Sequence, residues 1–563
     1  MRPNGKASRT SEIEELEKIP NDGPVMETPP SEPSAAEEEQ KYPDTANLIL
    51  ATLAFMIAVF LIALDVQILG IITAEFKSLL DLSWYGGAYL LAQIALQPTY
   101  ARLYQVFPIK HIFTSALVVL ETGSVIGATA RSSRTLIVGR AIQGTGAGGL
   151  MAGGLLMITY LVPKPQRPMY LSVVATMYAV AASLGPNLGG IFAESRVGWR
   201  FCFWLNLPVG IVAGIGIILA FPEPKRPAVV QPLKDKIMTL DPLGASLLIS
   251  WVTCLLLALQ RASIPQPWSD SGIWGPLLAF GIILCTFVIL QFYQKDKGRA
   301  YSFRAIIPYR ILAQRTIAFS CVFETSLFLA TTTLVYYLPF YFQSVKGFSP
   351  HKSGLFVLPF VVTNSAFAFG SGVLISKTGI YVPIMWLGTA VMMVGCGLIY
   401  TLTIDSTTGP IIGYQLIASA GFGLCVQVPF TAVQILPDKD IPIGNGLITF
   451  FQGLGGALAV SVAQTIFSNA LHANLDEIPN INVDVIIYYR PSNLVHIPDD
   501  IRHLVQAAYG VATRKAFVLP IVGSGLALAA SLFFERRRHY VPQEHIEEEE
   551  RGVTRREVIE VKR

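Results

Sequence analysis

The sequence predicts an all-α integral membrane protein in which fourteen helices cross the bilayer. Two observations support this prediction. Hydrophobic residues make up 52% of the 563 residues and charged residues only 14%, with a mean hydropathy of +0.51; soluble globular proteins carry about 25% charged residues. The chain also contains fourteen apolar windows, each near the roughly 20 residues that a helix needs to cross the hydrocarbon core.

Each window is expected to form one transmembrane helix, because polar or Pro/Gly-rich breaks separate it from the next. The windows are residues 47–72, 84–107, 111–130, 135–160, 169–192, 201–221, 240–260, 272–293, 316–341, 353–375, 380–402, 410–430, 444–467 and 516–534. An even number of spans places both termini on the same side. The triplet Arg536, Arg537 and Arg538 follows the last window directly and predicts that this side is cytoplasmic.

Charged, Pro-rich connectors divide the windows into groups of six, two and six. The predicted regions are an acidic, disordered cytoplasmic tail (1–46), an N-terminal six-helix bundle (47–221), a connector with two extra transmembrane helices (222–315), a C-terminal six-helix bundle (316–534) that includes a long external loop (468–515), and a cytoplasmic tail (535–563). Within the external loop, the stretch DDIRHLVQAAYGVA is expected to form a short helix on the membrane surface. Two facing bundles suit a transporter that alternates access to a site between them.

Several other classes of protein are disfavoured. The net charge of +4 arises from basic cytoplasmic loops, so no nucleic-acid partner is expected. All six cysteines fall in apolar windows, and the seven histidines show no metal-ligand spacing. We find no nucleophile motif or phosphate loop, so we expect neither an enzyme nor a cofactor.

Charged residues inside the windows are functional candidates, because each costs about 2.5 to 3.5 kcal/mol to insert. By helix rise, Asp65 in the first window and Arg140 in the fourth both lie roughly 8 to 10 Å below the outer surface. Glu121 in the third window is a competing partner for Arg140. We interpret Asp65 as a proton carrier whose pKa is controlled by Arg140; the alternative is a static pair that only holds the bundle together.

Two glycine-rich stretches lie within the windows. RAIQGTGAGG (140–149) contains a dinucleotide-binding pattern, but its position inside an apolar segment favours close helix packing. SLGPNLGG (183–190) places Gly185, Gly189 and Gly190 around Pro186, which predicts a bent helix that another helix approaches closely.

These motifs resemble those of a known family. ASLGPNLGG, followed by GWRFCFWLNLPVG (198–210), is similar to the antiporter signature of the major facilitator superfamily, in its fourteen-span drug:proton antiporter branch. LIVGRAIQGTGAGG (136–149) resembles the span-four motif whose arginine maps onto Arg140. LIALDVQIL (61–69) resembles the span-one motif whose acid maps onto Asp65, with Gln67 where a threonine is usual. Further similar stretches include WYGGAYLL (84–91) and DPLG (241–244).

One motif departs from the family pattern. After span two the superfamily usually carries G-x-L-x-D-x-x-G-R-[RK], which forms a cytoplasmic gate. Here the stretch is ARLYQVFPIK, with Ala101, Gln105, Pro108 and Ile109 at the Gly, Asp, Gly and Arg positions. Because Gln105 carries no charge, we expect an inner seal that does not close on the usual interactions.

The resemblance is strongest to fungal exporters of toxins, secondary metabolites and drugs. It implies a monomer in the cell membrane, with the vacuolar membrane as an alternative, that exports a small amphipathic organic molecule in exchange for protons. Substrate-site candidates are Glu324, Tyr336, Tyr337, Gln343 and Gln427. The alternatives are an importer of siderophore-like or basic amino-acid substrates and a membrane sensor that has lost transport.

Overall fold

The computed structural model describes residues 42–65, 82–194, 198–224, 232–262, 270–296, 305–478 and 499–536. Within these ranges the structure is helical and has no β-strand. The long helices are α1 (Thr45–Asp65), α2 (Leu82–Val106), α3 (Ile109–Ala128), α4 (Ser133–Leu161), α5 (Arg167–Glu194), α6 (Arg200–Ala220), α7 (Pro242–Ala262), α8 (Ser271–Asp296), α9 (Arg315–Ser344), α10 (Pro350–Thr378), α11 (Val382–Tyr400), α12 (Thr408–Cys425), α13 (Ile441–Leu475), α14 (Asp499–Ala516) and α15 (Val518–Ser531). The two predicted tails lie almost wholly outside the described residues.

Helices are the expected form for these apolar segments, because a segment in hydrocarbon must pair its own backbone N–H and C=O groups. Among the described residues, 12 candidate spans are long and apolar enough to cross a membrane. Helix α2, with 25 residues, and α5, with 28, also have the length of a span. The all-helical membrane architecture is therefore confirmed, while the count of fourteen spans stays a prediction.

The two six-helix bundles repeat one packing pattern. In the first bundle, α4 packs against α2 and α3, and α1 packs against α5 and α6. In the second bundle, α12 packs against α10 and α11, and α9 packs against α13 and α15. In each bundle, then, the fourth helix contacts the second and third, and the first contacts the last two. This repeat of structure between two halves is typical of secondary transporters.

The bundles meet along two seams, and the extra helices cover one of them. Helix α2 packs against α13, and α5 packs against α10. Helices α7 and α8 pack against each other, and α7 also contacts α2 and α13. Trp251 of α7 lies edge-on to Phe450 of α13, with ring centroids 5.9 Å apart. We call α7 and α8 the two-helix module.

The glycines of α4 pack closely against three neighbouring helices. A Cβ on Gly144 would overlap the backbone of Tyr89 in α2, and one on Gly154 would overlap the ring of Phe55 in α1. A Cβ on Gly146 would overlap the backbone of α3 in the same way. The prediction that RAIQGTGAGG serves helix packing is thus confirmed.

The structure differs from the prediction in the segment 468–515, which was expected to be an external loop. Helix α13 continues to Leu475, and α14 occupies Asp499–Ala516 within the second bundle. Val505 and Ala512 of α14 are buried, and α14 with α15 supplies one candidate span, Arg502–Ser531. The predicted helix at DDIRHLVQAAYGVA is therefore present, and its apolar residues Val505, Ala508 and Ala512 lie in the core of the bundle. Its placement at the membrane surface stays a prediction.

Candidate functional site

Arg140 is buried in the first bundle among polar and aromatic groups. Its side chain is 1% exposed. Nε donates to the carbonyl oxygen of Tyr85 at 2.9 Å, and Nη1 donates to Oε1 of Gln143 at 3.1 Å. The guanidinium carbon lies 4.5 Å from the centroid of the Tyr89 ring, a cation–π distance. These contacts replace the water that the cation loses on burial.

The polar groups around Arg140 form a network that joins five helices. Gln143 Nε2 and Asn206 Nδ2 both donate to Oγ of Ser124, at 2.8 and 3.1 Å. The Tyr89 hydroxyl donates to the carbonyl oxygen of Ile62 at 3.1 Å. The network thus links α1, α2, α3, α4 and α6. Sequence reasoning missed Gln143, Ser124 and Asn206; the available signal was a neutral polar residue inside an apolar window.

The two carboxylates proposed as partners of Arg140 differ in what the structure describes. Asp65 is the last residue of α1, three positions after Ile62, and its side chain lies outside the described part of the chain. Its pairing with Arg140 stays a prediction. Glu121 lies on α3 with its carboxylate beside Gly210 of α6, where any Cβ would overlap Oε1. Ser124, one helical turn after Glu121, lies on the same side of α3.

In the second bundle, Glu324 of α9 is buried without a comparable set of partners. Its side chain is 0% exposed, and neither carboxyl oxygen has a hydrogen-bond partner among the described residues. The thiols of Cys321 and Cys425 are close enough to interact with it electrostatically. A buried polar group without a partner costs free energy, so its presence indicates a role other than stability.

The remaining substrate-site candidates do not form one cluster. Gln427 lies two residues after the end of α12 and is 6% exposed, and its Oε1 atom has no hydrogen-bond partner among the described residues. Tyr337 is fully buried and donates to Oε1 of Gln464 at 3.0 Å, whereas Tyr336 is 47% exposed.

Gln343 lies apart from Glu324. It is at the C-terminal end of α9, and its Nε2 contacts Oγ of Ser353 in α10 at 3.5 Å. By helix rise, Gln343 and Glu324 are about 28 Å apart along α9. The two side chains therefore do not share a pocket in this conformation.

The predicted antiporter motif lies on α5. The helix runs without interruption from Arg167 to Glu194, and Gly185 is buried within it. The side chains of Pro186 and its neighbours, including Gly189 and Gly190, lie outside the described residues. The proposed bend and close approach at this motif stay predictions.

The stretch that departs from the family gate pattern makes a cluster of contacts between the bundles. Arg102 of α2 donates to Oε1 of Gln105 at 2.9 Å and to the carbonyl oxygen of Ala305. Gln105 Nε2 donates to the carbonyl oxygen of Lys439, which lies just before α13. We call Arg102, Gln105, Ala305 and Lys439 the inner cluster, after the predicted orientation. An uncharged amide thus joins α2 to the segment before α13, at the position where the resembled family carries a carboxylate.

A helix-capping contact lies at the end of the ARLYQVFPIK stretch, where α3 begins. The carboxylate of Glu223 accepts hydrogen bonds from the backbone nitrogens of Ile109 and Lys110, at 2.7 and 2.9 Å. Both nitrogens belong to the first turn of α3, where the helix leaves its N–H groups unpaired and favours negative charge. Glu223 therefore stabilises the start of α3 after Pro108.

Two repeated six-helix halves, joined by polar contacts at one end and each burying an ionisable side chain, define a multi-pass membrane transporter. Residues 48–460 match the Major Facilitator Superfamily. The chain belongs to this family, as the sequence motifs predicted.

Curated relatives match over nearly the whole chain. The chain is 38% identical over 517 residues to the MFS-type transporter ltbE of Aspergillus luteorubrus, covering 90% of this chain and 93% of that protein. It is 34% identical over 541 residues to the efflux pump roqT of Penicillium rubens, covering 94% and 97%. It is 37% identical over 511 residues to the aspyridones efflux protein of Neocamarosporium betae, covering 88% of each. The named relatives are all transport proteins, which agrees with the prediction that the chain is not an enzyme.

Solved structures share the fold at low sequence identity. The human organic anion transporter MFSD10 superposes with a TM-score of 0.54 at 14% identity, covering 88% of this chain and 100% of that one. The proton:xylose symporter XylE gives the same TM-score at 14% identity, covering 87% and 95%. These likenesses confirm the fold and say nothing about the substrate.

Proposed function

We propose that the protein is an efflux transporter that exports amphipathic organic molecules, such as toxins, secondary metabolites or drugs, in exchange for protons. The observation that carries export is the set of relatives named efflux pumps or efflux proteins, which align over 86% or more of this chain. The transport cycle alternates access by separating and rejoining the bundles at the inner cluster.

The coupling site in this proposal is the polar network of the first bundle. Arg140 supplies a fixed positive charge, and Asp65 and Glu121 supply carboxyl groups on the adjoining helices α1 and α3. A carboxyl group near Arg140 favours its charged form, and one that moves away binds a proton more readily. Asp65 is our first choice as the carrier, because it ends the helix whose Ile62 carbonyl already contacts the network.

The substrate site in this proposal lies around Glu324 and Gln427 in the second bundle. Both side chains carry buried oxygens without hydrogen-bond partners among the described residues, so a bound molecule would satisfy them. Tyr336 and Tyr337, about 18 to 20 Å from Glu324 along α9, supply aromatic contacts along the exit path. Gln343 lies further out on the same path. The exposed face of Tyr336 suits a site that binds apolar rings.

The proposed setting is the cell membrane, with both termini in the cytoplasm and the vacuolar membrane as the alternative. We propose a monomer, because each chain contains both bundles and therefore the whole transport path.

The experiment that tests this function is proton movement in sealed proteoliposomes containing the full chain and an internal pH dye. A panel of cationic and neutral amphipathic toxins is added, and wild type is compared with Asp65→Asn. Asp44→Asn is the matched control, since Asp44 is exposed and precedes α1.

We expect a substrate-triggered proton flux in wild type and in Asp44→Asn, and its loss in Asp65→Asn. Normal flux in a folded Asp65→Asn protein would remove Asp65 from coupling and leave Glu121 as the carrier. Substrate export without any proton movement would refute exchange, while leaving export in place.

A further inference from the structure

Asp241, the first residue of the DPLG stretch, has an unusual backbone and has no part in the proposed function. It directly precedes α7 and is 4% exposed. Its φ is 51°, and no other described non-glycine residue has a positive φ. Only Gly, Asn and Asp adopt this left-handed region readily. A residue keeps such a conformation when its surroundings fix it.

The Asp241 carboxylate joins three segments through four hydrogen bonds. Oδ1 accepts from the backbone nitrogen of Gly244 at 2.9 Å and from Nε2 of Gln294 at 3.3 Å. Oδ2 accepts from Nε2 of Gln291 and from the backbone nitrogen of Ile306, both at 3.1 Å. Gly244 lies in the first turn of α7, Gln291 and Gln294 near the end of α8, and Ile306 in the segment that leaves the two-helix module.

The segment after the module connects both bundles, and we call residues 305–312 the strap. At its start, the Ala305 carbonyl accepts from Arg102 of the first bundle. Arg310 donates to both carboxyl oxygens of Asp440, at 2.7 and 2.5 Å. Asp440 is the N-cap residue of α13 in the second bundle. The strap therefore bridges α2 and α13 at the inner cluster.

The charged residues around Arg102 in the inner cluster belong to the strap or are bound to it. Gln105 is neutral, whereas Arg310, Asp241 and Asp440 all lie within electrostatic range of the Arg102 guanidinium. Because Gln105 is neutral, it cannot form an ion pair between the bundles. The strap supplies one instead, between Arg310 and Asp440. Gln291 adds to its anchoring, because its Oε1 accepts from the backbone nitrogen of Ile307 at 3.4 Å.

We propose that the two-helix module holds the inner cluster closed through the strap, with Asp241 as the positioning residue. The carboxylate fixes where the strap begins, and this places the Ala305 carbonyl on Arg102 and Arg310 on Asp440. When the bundles separate, the strap has to release one of them. The inference rests on the proposed function only in that this separation belongs to a transport cycle.

Hydrogen–deuterium exchange of the full chain in lipid nanodiscs, read by mass spectrometry without substrate, tests the proposal. Asp241→Asn keeps a residue that tolerates the left-handed backbone but leaves one acceptor oxygen instead of two. We expect amides in the strap and in the first turn of α13 to exchange about tenfold faster or more than in wild type. Asp270→Asn is the matched control, because Asp270 accepts from the Gly272 nitrogen at the other end of the module.

A purely structural role would give a different pattern. Faster exchange confined to α7 and α8, with an unchanged strap and α13, would overturn the proposal. Gln105→Ala breaks the inner cluster directly, so the proposal predicts that its effect on α13 and that of Asp241→Asn are not additive. Additive effects would show that the two residues act independently and would also overturn it.

A second variant keeps the test decisive if Asp241→Asn does not fold. Gln291→Leu removes the acceptor of the Ile307 nitrogen and one donor to Asp241, and is expected to speed strap exchange in the same way. Unchanged strap exchange in folded Gln291→Leu would refute the proposal. The hydrogen–deuterium exchange measurement uses no substrate, so its result stands even if the export assay fails. Conversely, normal export together with unchanged hydrogen–deuterium exchange in the variants would refute the role of the strap and leave the proposed function in place.

Discussion

The two bundles share one packing pattern but surround their buried ionisable side chains differently. Arg140 in the first bundle meets a carbonyl, an amide and an aromatic face. Glu324 in the second bundle lies beside two thiols, and its oxygens have no hydrogen-bond partner among the described residues. The polar network around Arg140 supplies hydrogen-bond and cation–π partners for the guanidinium, whereas burial of Glu324 without such partners costs free energy.

This comparison predicts opposite responses to neutralising each charge. Removing Arg140 leaves several partners without their donor or their cation. Removing the charge of Glu324 leaves nothing unpaired, because no described group depends on it. The variants Arg140→Ala, Gln143→Leu, Gly210→Ala and Glu324→Gln test this difference, with an expected effect on stability that decreases in that order.

Arg140→Ala is expected to have the largest effect. It leaves the Tyr85 carbonyl and the Gln143 amide without a donor in a buried site and opens a cavity, at a cost of about 3 kcal/mol or more. Coupled proton flux is expected to be lost as well. Thermal unfolding in detergent measures the loss of stability. Arg134→Ala is the control, because Arg134 is an exposed arginine on the same helix. Equal stability of the two variants would show that the polar network around Arg140 does not stabilise the bundle.

Gln143→Leu is expected to cause the next largest loss of stability. Leucine keeps the volume but cannot accept from Arg140 or donate to Ser124, which costs about 2 kcal/mol for buried groups left unpaired. Unfolding of Gln166→Leu, an exposed glutamine, supplies the baseline. A variant as stable as wild type would mean that Arg140 finds another partner.

Gly210→Ala tests the position of Glu121 with a smaller effect. The added methyl overlaps the Glu121 carboxylate, and displacing the end of a flexible side chain is expected to cost about 1 kcal/mol. The control is Gly281→Ala in α8, where a Cβ meets no atom within 4 Å. If Gly210→Ala changes neither stability nor the pH dependence of transport, Glu121 lies elsewhere in the working protein.

Much of the fold follows from the sequence, because hydrocarbon requires helices and the apolar windows mark them. The last apolar window begins at residue 516, whereas the helical candidate span begins at Arg502, and the difference has a physical reason. Asp499, Asp500, Arg502 and His503 make the beginning of α14 look soluble, yet its other face is apolar and packs in the bundle. Hydropathy averaged around a helix cannot separate two such faces.

The candidate site was only partly predictable. Arg140 and Glu324 are identifiable because a charge inside an apolar window is costly. Their surroundings are not, because the rotation of each helix decides which neutral side chain meets the charge. Gln143, Ser124 and Asn206 lie on three helices, and the strap joins residues more than 200 positions apart, from Arg102 to Ala305. No local pattern reports such pairs.

Glu324→Gln completes the comparison with the smallest effect on stability. The amide has the same shape without the charge, so unfolding is expected to change by less than about 1 kcal/mol, in contrast to Arg140→Ala. Transport of cationic substrates is expected to fall at least about tenfold, since a carboxylate contributes more than an amide to binding a cation, while neutral substrates keep their rate. Parallel measurements on Glu477→Gln, an exposed glutamate after α13, control for the substitution itself. A stability loss as large as that of Arg140→Ala would mean that the Glu324 charge has a partner after all, and an equal loss for cationic and neutral substrates would remove Glu324 from substrate selection.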